Sequence, residues 1–285
     1  MRKGVLIVAF GGPRDEGEVG EFLTALRGKP PPQSLVQEVT ERYRAIGGSP
    51  FYAILERIIQ GMRRRIRGVG INYGVLYGRP KIEEAMEDLE REGALEILVF
   101  PISPYRSPYW EEALKRARQK ATELILELEL PSPWSSHPEY VALWAARIRE
   151  ELLRLGRAPI LFTAHSVPEG SSDNYLMDLE GTIEAIMDLI PNLPWRLGFH
   201  GYRSGWIGPD LKDALKDLKE GQGAQRVLVV PVGFVCDHLE TLYDLDVELK
   251  EEADSQGIIL ERIPCLNASE DFLNFLVKRI YEALR

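Results

Sequence analysis

The chain has 285 residues, 45% of them hydrophobic, which suits either two domains or one large doubled domain. A formal net charge of −9 argues against a general binder of nucleic acid or of anionic membranes. The two cysteines, Cys236 and Cys265, form no CxxC pair, which excludes a zinc ribbon or a cysteine-held iron–sulfur cluster made by this chain alone. No apolar run approaches the roughly 20 residues of a membrane span. We therefore expect a cytoplasmic protein without an integral membrane segment.

Short apolar runs alternate along the chain with longer segments of helical periodicity. The predicted strands are Val5–Phe10, Tyr73–Tyr77, Ile97–Ile102, Ile160–Thr163, Trp195–Phe199, Val227–Val232 and Ile258–Ile263. The predicted helices are Gly17–Leu26, Gln33–Ala45, Tyr52–Arg67, Lys81–Glu92, Glu111–Leu128, Tyr140–Leu155, Asp210–Leu218, His238–Ala253 and Ser269–Leu284. Runs that are apolar on both faces are typical of parallel strands covered by helices on both sides. The alternation predicts a doubly wound α/β fold.

The two halves of the chain show a faint similarity. One strand of the first half ends in Phe10-Gly11-Gly12-Pro13, and one strand of the second half ends in His165-Ser166-Val167-Pro168. We therefore divide the chain into residues 1–155 and 156–285. Ligands of open α/β sheets bind beyond the carboxyl ends of the strands. We expect these strand ends to converge on one cleft between the halves.

Several common catalytic motifs are absent. No G-x-G-x-x-G, GxxxxGK[ST] or G-x-S-x-G occurs, so nucleotide cofactors and the α/β-hydrolase reaction lose their main sequence support. Ser166 follows His165, but neighbours on a strand point to opposite faces. The sequence therefore does not favour a serine hydrolase.

The predicted helix His238–Ala253 is rich in acidic residues. Glu240, Asp244 and Glu248 are spaced i, i+4, i+8, which places them on one face of an α-helix. Like charges at this spacing repel each other, and a cation along the row would offset the repulsion. An ordinary acidic surface helix is the more common explanation of such a row. The helix nevertheless follows a buried strand directly, which points its first turn, with Glu240, toward the expected cleft.

His165 is the best candidate partner for this row. It ends a predicted parallel strand, where functional side chains are common. His200 also lies near a strand end and is a second polar candidate, whereas His238 is expected to partner Asp237 or the backbone. One imidazole with one to three carboxylates suits an open site for Fe(II), Mn or Zn rather than a closed structural zinc site.

The sequence resembles the ferrochelatases, which insert Fe2+ into a porphyrin in haem biosynthesis. The resemblance lies in six stretches that follow the family's order and span nearly the whole chain. They are VLIVAFGGP (Val5–Pro13), RYRAIGGSP (Arg42–Pro50), FTAHSVP (Phe162–Pro168), WIGPD (Trp206–Asp210), VPVGFVCDHLETLYDLDVE (Val230–Glu248) and CLN (Cys265–Asn267). The stretch GFVCDHLETLYDLDVE is the most specific of them.

The resemblance implies a fold and a metal site. It implies two similar Rossmann-like halves, each with a parallel four-stranded sheet, a porphyrin cleft between them, and a last helix that packs back on the first half. It implies His165 and Glu240 as the catalytic and metal-binding pair, with Asp244 and Glu248 as further metal-site carboxylates. Whether His165 binds the metal or accepts a proton stays open, since the ordinary pKa of a histidine side chain, near 6.5, allows either role.

Further positions would contact the porphyrin. Phe10 matches the position over the macrocycle face, and Arg27, Arg42 and Tyr43 match positions that contact the macrocycle or its propionates. The complete set proposed for the first half is Phe10, Arg27, Arg42, Tyr43, Ser49 and Tyr109. Aromatic wall candidates are Phe10, Phe51, Tyr105, Tyr109 and Trp110, each of which core or loop packing explains equally well.

The chain departs from the family pattern at several places. Phe10 stands where some bacterial members have an axial tyrosine, so axial iron ligation from this position is impossible. The Ser49-Pro50 step is one residue short of the commoner spacing. The Gln-Ser run expected near residue 200 reads His200-Gly201, and the loop to Trp206 is shortened. The family's C-terminal cluster cysteines are absent, so we expect no iron–sulfur cluster and no resident cofactor.

Two other functions remain open from the residues. A non-catalytic haem- or porphyrin-binding chaperone would not need the acidic row, and a chelatase for another metal and tetrapyrrole would share the fold. Coproporphyrin III is favoured over protoporphyrin IX, because a tetracarboxylate needs more donor groups, such as Arg27, Lys29, Arg42 and Arg203. We expect a monomer that meets its porphyrin and Fe2+ substrates and, transiently, other proteins of the haem pathway.

Overall fold

The computed structural model describes residues 3–171 and 173–285. It divides into two compact units. The first unit contains the residues up to Pro104, Tyr109–Pro133 and Ala268–Arg285, and the second contains Tyr105–Pro108 and Trp134–Asn267. Each contains one parallel four-stranded sheet, which confirms the predicted fold class. The units change over near Pro133 rather than near Leu155.

The elements follow one another in an α/β order. The strands are β1 (Lys3–Gly11), β2 (Gly70–Tyr77), β3 (Glu96–Pro101), β4 (Glu127–Glu129), β5 (Ile160–His165), β6 (Trp195–His200), β7 (Arg226–Val230) and β8 (Ile259–Arg262). The α-helices are α1 (Val19–Arg27), α2 (Gln33–Ala45), α3 (Phe51–Arg65), α4 (Ile82–Arg91), α5 (Pro108–Leu124), α6 (Pro138–Leu155), α7 (Asp173–Leu189), α8 (Leu211–Gln222), α9 (Lys250–Ser255) and α10 (Glu270–Ala283). A π-helix, Glu240–Leu249, precedes α9. Among the residues described, no helix combines the length and apolar character needed to cross a bilayer.

The sheet of the first unit has the strand order β2-β1-β3-β4. The predicted helix Glu111–Leu128 is wrong at its end, because α5 stops at Leu124 and β4 begins at Glu127. Ile125 lies between them with φ 55°, a left-handed conformation that cannot continue the helix. The missed strand pairs with β3 at the edge of the sheet.

Helix α10 packs against α3 within the first unit. Gly61 lies at this contact, since a Cβ atom there would meet Leu273 Cδ1 at 2.9 Å. The absence of a side chain lets the two helices approach closely. Phe272, Phe275 and Leu276 of α10 are buried, so this terminal helix contributes to the core of the first unit.

The sheet of the second unit has the order β6-β5-β7-β8, which repeats the order of the first sheet. Helix α7 was not predicted, although Tyr175, Leu179, Ile183 and Ile186 are buried at helical spacing. Helix α6 packs against α7, which explains why residues 138–155 belong to the second unit rather than to the first half.

The strand order fixes where a ligand site can form in the second unit. The chain runs from β5 outward to β6 and then returns past β5 to β7, so the direction of winding reverses between β5 and β7. The carboxyl ends of two such strands open a crevice in doubly wound sheets. His165 is the last residue of β5, and the segment after β7 leads into the π-helix at Glu240.

Candidate active site

His165 ends β5 with its imidazole oriented by a backbone hydrogen bond. Its Nδ1 contacts the carbonyl oxygen of Ser166. A carbonyl can only accept, so Nδ1 carries the proton and Nε2 of the neutral ring keeps its lone pair. The backbone carbonyl of His165 also accepts a 3.0 Å hydrogen bond from the Tyr175 hydroxyl. Gly201 covers the ring closely, since a Cβ atom there would lie 3.1 Å from Nε2.

Glu240 begins the π-helix and faces this lone pair. Its Oε1 lies 3.6 Å from His165 Nε2, and the two side chains are 31% and 32% exposed. Its Oε2 is buried and makes no hydrogen bond within the described part of the chain. A buried oxygen without a donor is costly, and a bound cation or proton would satisfy it.

The charge state of Glu240 follows from its surroundings. Burial alone would raise the pKa of this carboxyl, but the neighbouring imidazoles of His165, His238 and His200 lower it more, so the pKa lies well below its ordinary value. Glu240 is therefore ionised at neutral pH. This favours a dication at the edge of the sheet.

His238 lies on the other side of Glu240. Its Nε2 is 3.7 Å from Glu240 Oε2, and its Nδ1 donates to the carbonyl oxygen of Cys236 at 3.1 Å. Burial lowers the pKa of His238, but the Glu240 carboxylate raises it by more, and the net pKa is raised. The sequence prediction that His238 partners the backbone is confirmed, but its second partner, Glu240, was not expected.

Asp244 pairs with a different histidine. His200 Nδ1 lies 3.1 Å from Asp244 Oδ2, and His200 Nε2 lies 3.2 Å from the Thr163 hydroxyl. Within the described residues, no three His, Cys, Asp or Glu side chains converge as a ready metal-binding cluster. The set His165, Glu240, Asp244 and Glu248 thus stays a prediction as a ligand set, and the structure brings together the pairs His165–Glu240 and His200–Asp244.

The acidic helix itself differs from the prediction. Residues 240–249 form a π-helix, with α-helical geometry only from Lys250. In a π-helix the hydrogen bond closes at i→i+5 instead of i→i+4, so the spacing argument made for an α-helix does not apply as stated. π-Helical turns are frequent at functional sites.

An ion cluster holds the π-helix from the side of β8. Arg262 Nη1 donates to Asp237 Oδ1 at 2.8 Å, and its Nε and Nη2 donate to the two oxygens of Asp246 at 2.7 Å each. Asn267 also donates to Asp237, at 2.6 Å. We call these four residues the Arg262 clamp. It neutralises Asp246 and fixes the chain just before Glu240.

The first unit brings aromatic candidates together. The Phe10 ring lies 4.9 Å from Tyr109 and 5.0 Å from Tyr77, and Phe10 is 37% exposed. Phe22 contacts Tyr77 at 6.5 Å. Tyr77 is not among the predicted contacts, although it ends a predicted strand and His165 lies just beyond the end of another. An exposed aromatic surface of this kind suits a flat apolar ligand.

The other predicted contacts of the first unit have varied environments. Arg27 is exposed at the end of α1, and Arg42 forms an ion pair with Glu38 at 3.0 Å. Tyr43 is buried, with its hydroxyl near Gly12. Ser49 Oγ accepts a 3.4 Å hydrogen bond from the Phe51 backbone at the start of α3.

Two residues of the second unit are core residues. Tyr105 is completely buried and donates to the Val232 carbonyl oxygen at 3.0 Å, so its candidacy as a ligand wall is wrong. Ser166 is completely buried and donates to the Ile207 carbonyl oxygen at 2.6 Å, which agrees with the rejection of a serine nucleophile.

Comparisons of the sequence with known proteins indicate one family. The family model described as Ferrochelatase matches residues 2–284. A protein named ferrochelatase from Herpetosiphon aurantiacus is 30% identical, over 95% of this chain and 96% of its own. A protein named coproporphyrin III ferrochelatase from Anoxybacillus flavithermus is 29% identical, over 99% of this chain and 96% of its own. The solved structure of SirB from Bacillus subtilis with Fe3+ superposes with a TM-score of 0.65 at 15% identity, covering 99% of this chain and 96% of that one. This last likeness shows the fold alone.

Proposed function

The chain belongs to the ferrochelatase family, and from that premise we propose that its porphyrin is coproporphyrin III and that His165 and Glu240 act at the reacting centre. The family inserts a metal ion into a porphyrin, so the chain is an enzyme of haem biosynthesis with porphyrin and iron as substrates. It is a lyase that forms nitrogen–metal bonds.

The observation that supports the reacting pair is its geometry. His165 Nε2 and Glu240 Oε1 are 3.6 Å apart at the carboxyl end of β5, and Glu240 Oε2 is buried without a hydrogen bond. Metallation removes two pyrrole N–H protons and delivers Fe2+ to the same nitrogens. His165 presents a lone pair, which can accept a proton or bind the metal, and Glu240 presents an ionised carboxylate.

The two roles of His165 predict different losses. If Nε2 accepts a pyrrole proton, replacement by alanine lowers kcat at every iron concentration. If Nε2 binds the metal, excess iron restores much of the lost rate, because the defect lies in metal binding. We favour the proton acceptor, since the carboxylate of Glu240 provides the stronger attraction for Fe2+.

Asp244 and Glu248 are proposed as auxiliary carboxylates. The Asp244 side chain is 17% exposed and contacts His200, which is the register partner of His165. Glu248 lies farther along the π-helix, at most two turns from Glu240. Asp244→Asn with Glu248→Gln should slow turnover less than the change of Glu240. Loss of porphyrin binding in this double variant would contradict an auxiliary role in handling metal or protons.

Two arguments support coproporphyrin III. The relative from Anoxybacillus flavithermus bears this substrate in its name. A substrate with four carboxylates also needs cationic groups around it, and Arg203 offers one in the second unit. Its guanidinium lies 3.8 Å from the Trp206 ring, and that ring lies 6.3 Å from His165.

A substrate comparison tests the proposal. Purified protein is supplied with Fe2+ under anaerobic conditions, and metallation of coproporphyrin III and of protoporphyrin IX is followed by absorbance. We expect a kcat/KM at least about tenfold higher for coproporphyrin III, the equivalent of ~1.4 kcal/mol of transition-state binding. A preference for protoporphyrin IX would contradict the substrate, and haem binding without metallation would contradict the activity.

The cleft between the halves, the monomeric state, the cytoplasmic location and the lack of a resident cofactor stay predictions. Size-exclusion chromatography with light scattering checks the monomer. Metal analysis of the purified protein checks the cofactor.

A further inference from the structure

His200 is the most deeply buried polar ring of the second unit's site. It ends β6, pairs in register with His165 on β5, and is 1% exposed. Its Nδ1 faces Asp244 Oδ2 at 3.1 Å, its Nε2 faces Thr163 Oγ1 at 3.2 Å, and the Phe234 ring packs edge-on at 5.2 Å. Both ring nitrogens therefore have a polar partner, and one face is apolar.

The partners fix the tautomer of the neutral ring. An ionised carboxylate can only accept, so Nδ1 must donate to Asp244. Nε2 then has a lone pair, and the Thr163 hydroxyl donates to it. Thr163 is itself completely buried on the central strand β5. A chain of two hydrogen bonds thus runs from the sheet to the carboxylate of Asp244.

A purely structural role does not explain this arrangement well. A buried imidazole and its carboxylate lose hydration, and an apolar side chain of similar volume would fill the space at lower cost. Carboxylates that handle metal ions are commonly held by such hydrogen bonds from outside, and loss of one typically weakens metal affinity or activity about 10–100-fold.

We propose that His200 is a positioning residue for metal delivery: anchored by Thr163, it holds the Asp244 carboxylate in the orientation in which it receives Fe2+ beside Glu240. The proposal rests on the function proposed above, since it needs Asp244 to meet the metal. His200 acts through Asp244 and touches neither metal nor porphyrin.

The test uses variants that separate the hydrogen bonds from the volume. His200→Leu fills the space without a donor, whereas His200→Gln retains an amide that can donate to Asp244 and accept from Thr163. Thr163→Val removes the anchor alone. Steady-state metallation with Fe2+ gives KM for the metal and for the porphyrin separately.

We expect His200→Leu to raise KM for Fe2+ about 10–100-fold with KM for the porphyrin changed less than twofold. His200→Gln should stay within about threefold of the wild type, and Thr163→Val should fall between the two. Co2+ titrated into the porphyrin-free protein should bind more weakly to the leucine variant, which gives a readout independent of turnover.

Other outcomes overturn the proposal. If His200→Gln loses as much as His200→Leu, hydrogen bonding to Asp244 is not the function of His200. Equal rises in both KM values would indicate a general distortion of the site. If His200→Leu does not fold, the other two variants still test the proposal. A KM for Fe2+ equal to the wild-type value in both Thr163→Val and His200→Gln would contradict the role of Thr163 as an anchor for His200. Absence of metallation in the wild type would instead refute the proposed function, so the two failures are distinguishable.

Discussion

Replacing Arg262 with methionine should destabilise the second unit, because the change leaves a buried carboxylate without its cation. Arg262 and Asp237 are each only 10% exposed at the side chain, and Arg262 is the sole cation among the four residues of the clamp. Burial raises the pKa of Asp237, but the charge of Arg262 and its other hydrogen bonds lower it more, so its net pKa is lowered. The pair is therefore charged at neutral pH.

The size of the expected loss of stability depends on the hydrogen bonds that Asp237 retains in the variant. Removal of one partner from a buried ion pair typically costs about 3–5 kcal/mol. Asp237 retains hydrogen bonds from Asn267 at 2.6 Å and Thr241 at 3.2 Å, so we expect a loss near the lower end, about 3 kcal/mol. Methionine preserves most of the aliphatic volume, which confines the change to charge and hydrogen bonding.

Urea unfolding followed by tryptophan fluorescence measures this loss in the relevant unit. Four of the five tryptophans, Trp134, Trp144, Trp195 and Trp206, belong to the second unit. Asp246→Asn is the matched control, since Asp246 is 39% exposed and should cost about 1 kcal/mol or less. The double variant Asp237→Asn/Arg262→Met should recover part of the loss, because no buried unpaired charge remains; the carboxylate that loses Arg262, that of Asp246, is 39% exposed. A loss below about 1 kcal/mol for Arg262→Met, or an equal loss for Asp246→Asn, would refute the reasoning.

Three further changes test separate parts of the structure. Gly201→Ala should lower the free energy of unfolding by about 1 kcal/mol, because φ at this residue is 63°. It should also lower turnover, because the new methyl group would lie 3.1 Å from His165 Nε2. An unchanged kcat would show that the loop does not pack on the His165 ring. Ile125→Asn should raise the free energy of unfolding by about 1 kcal/mol, because a β-branched residue is held at φ 55° while 89% exposed; a loss of stability would contradict this. Glu240→Gln should lower the pKa of His238, measured by imidazole NMR, because burial lowers that pKa and the carboxylate raises it. In the wild type, the raised pKa of His238 contributes stability that is complete below the ordinary histidine pKa near 6.5. This contribution is lost as the pH rises through the pKa of His238 in the folded protein. An unchanged His238 pKa in Glu240→Gln would rule out the contact between His238 and Glu240.

Much of the fold was predictable because its signals are local. Strand β1 was predicted at Val5–Phe10 and spans Lys3–Gly11, since fully buried parallel strands are continuous apolar runs. Helix α7 was missed although its buried residues have helical spacing, so a signal was present. Strand β4 was missed although Glu127, Leu128 and Glu129 alternate polar and apolar residues, because three residues directly after a helix give too short a signal. The identity of Ile125 also does not predict a left-handed backbone.

The site was predictable in position more than in detail. Strand-end reasoning placed His165 and the first turn after β7 at one edge, and the structure brings His165 and Glu240 to 3.6 Å. The partners of the other histidines were not predictable, because contacts such as His200 with Asp244 depend on how the helix winds. The π-helix was also hidden, since its sequence is compatible with an α-helix and the wider turn is held by Arg262, a residue from β8.

Anaerobic Fe2+ insertion by two variants tests whether His165 and Glu240 together insert iron into the porphyrin. His165→Ala and Glu240→Gln, each shown by circular dichroism and urea unfolding to be folded, are compared with the wild type on the preferred porphyrin. We predict that each lowers kcat about 100-fold or more, while porphyrin binding changes little. Near-normal turnover in both folded variants would contradict a role of His165 and Glu240 in iron insertion.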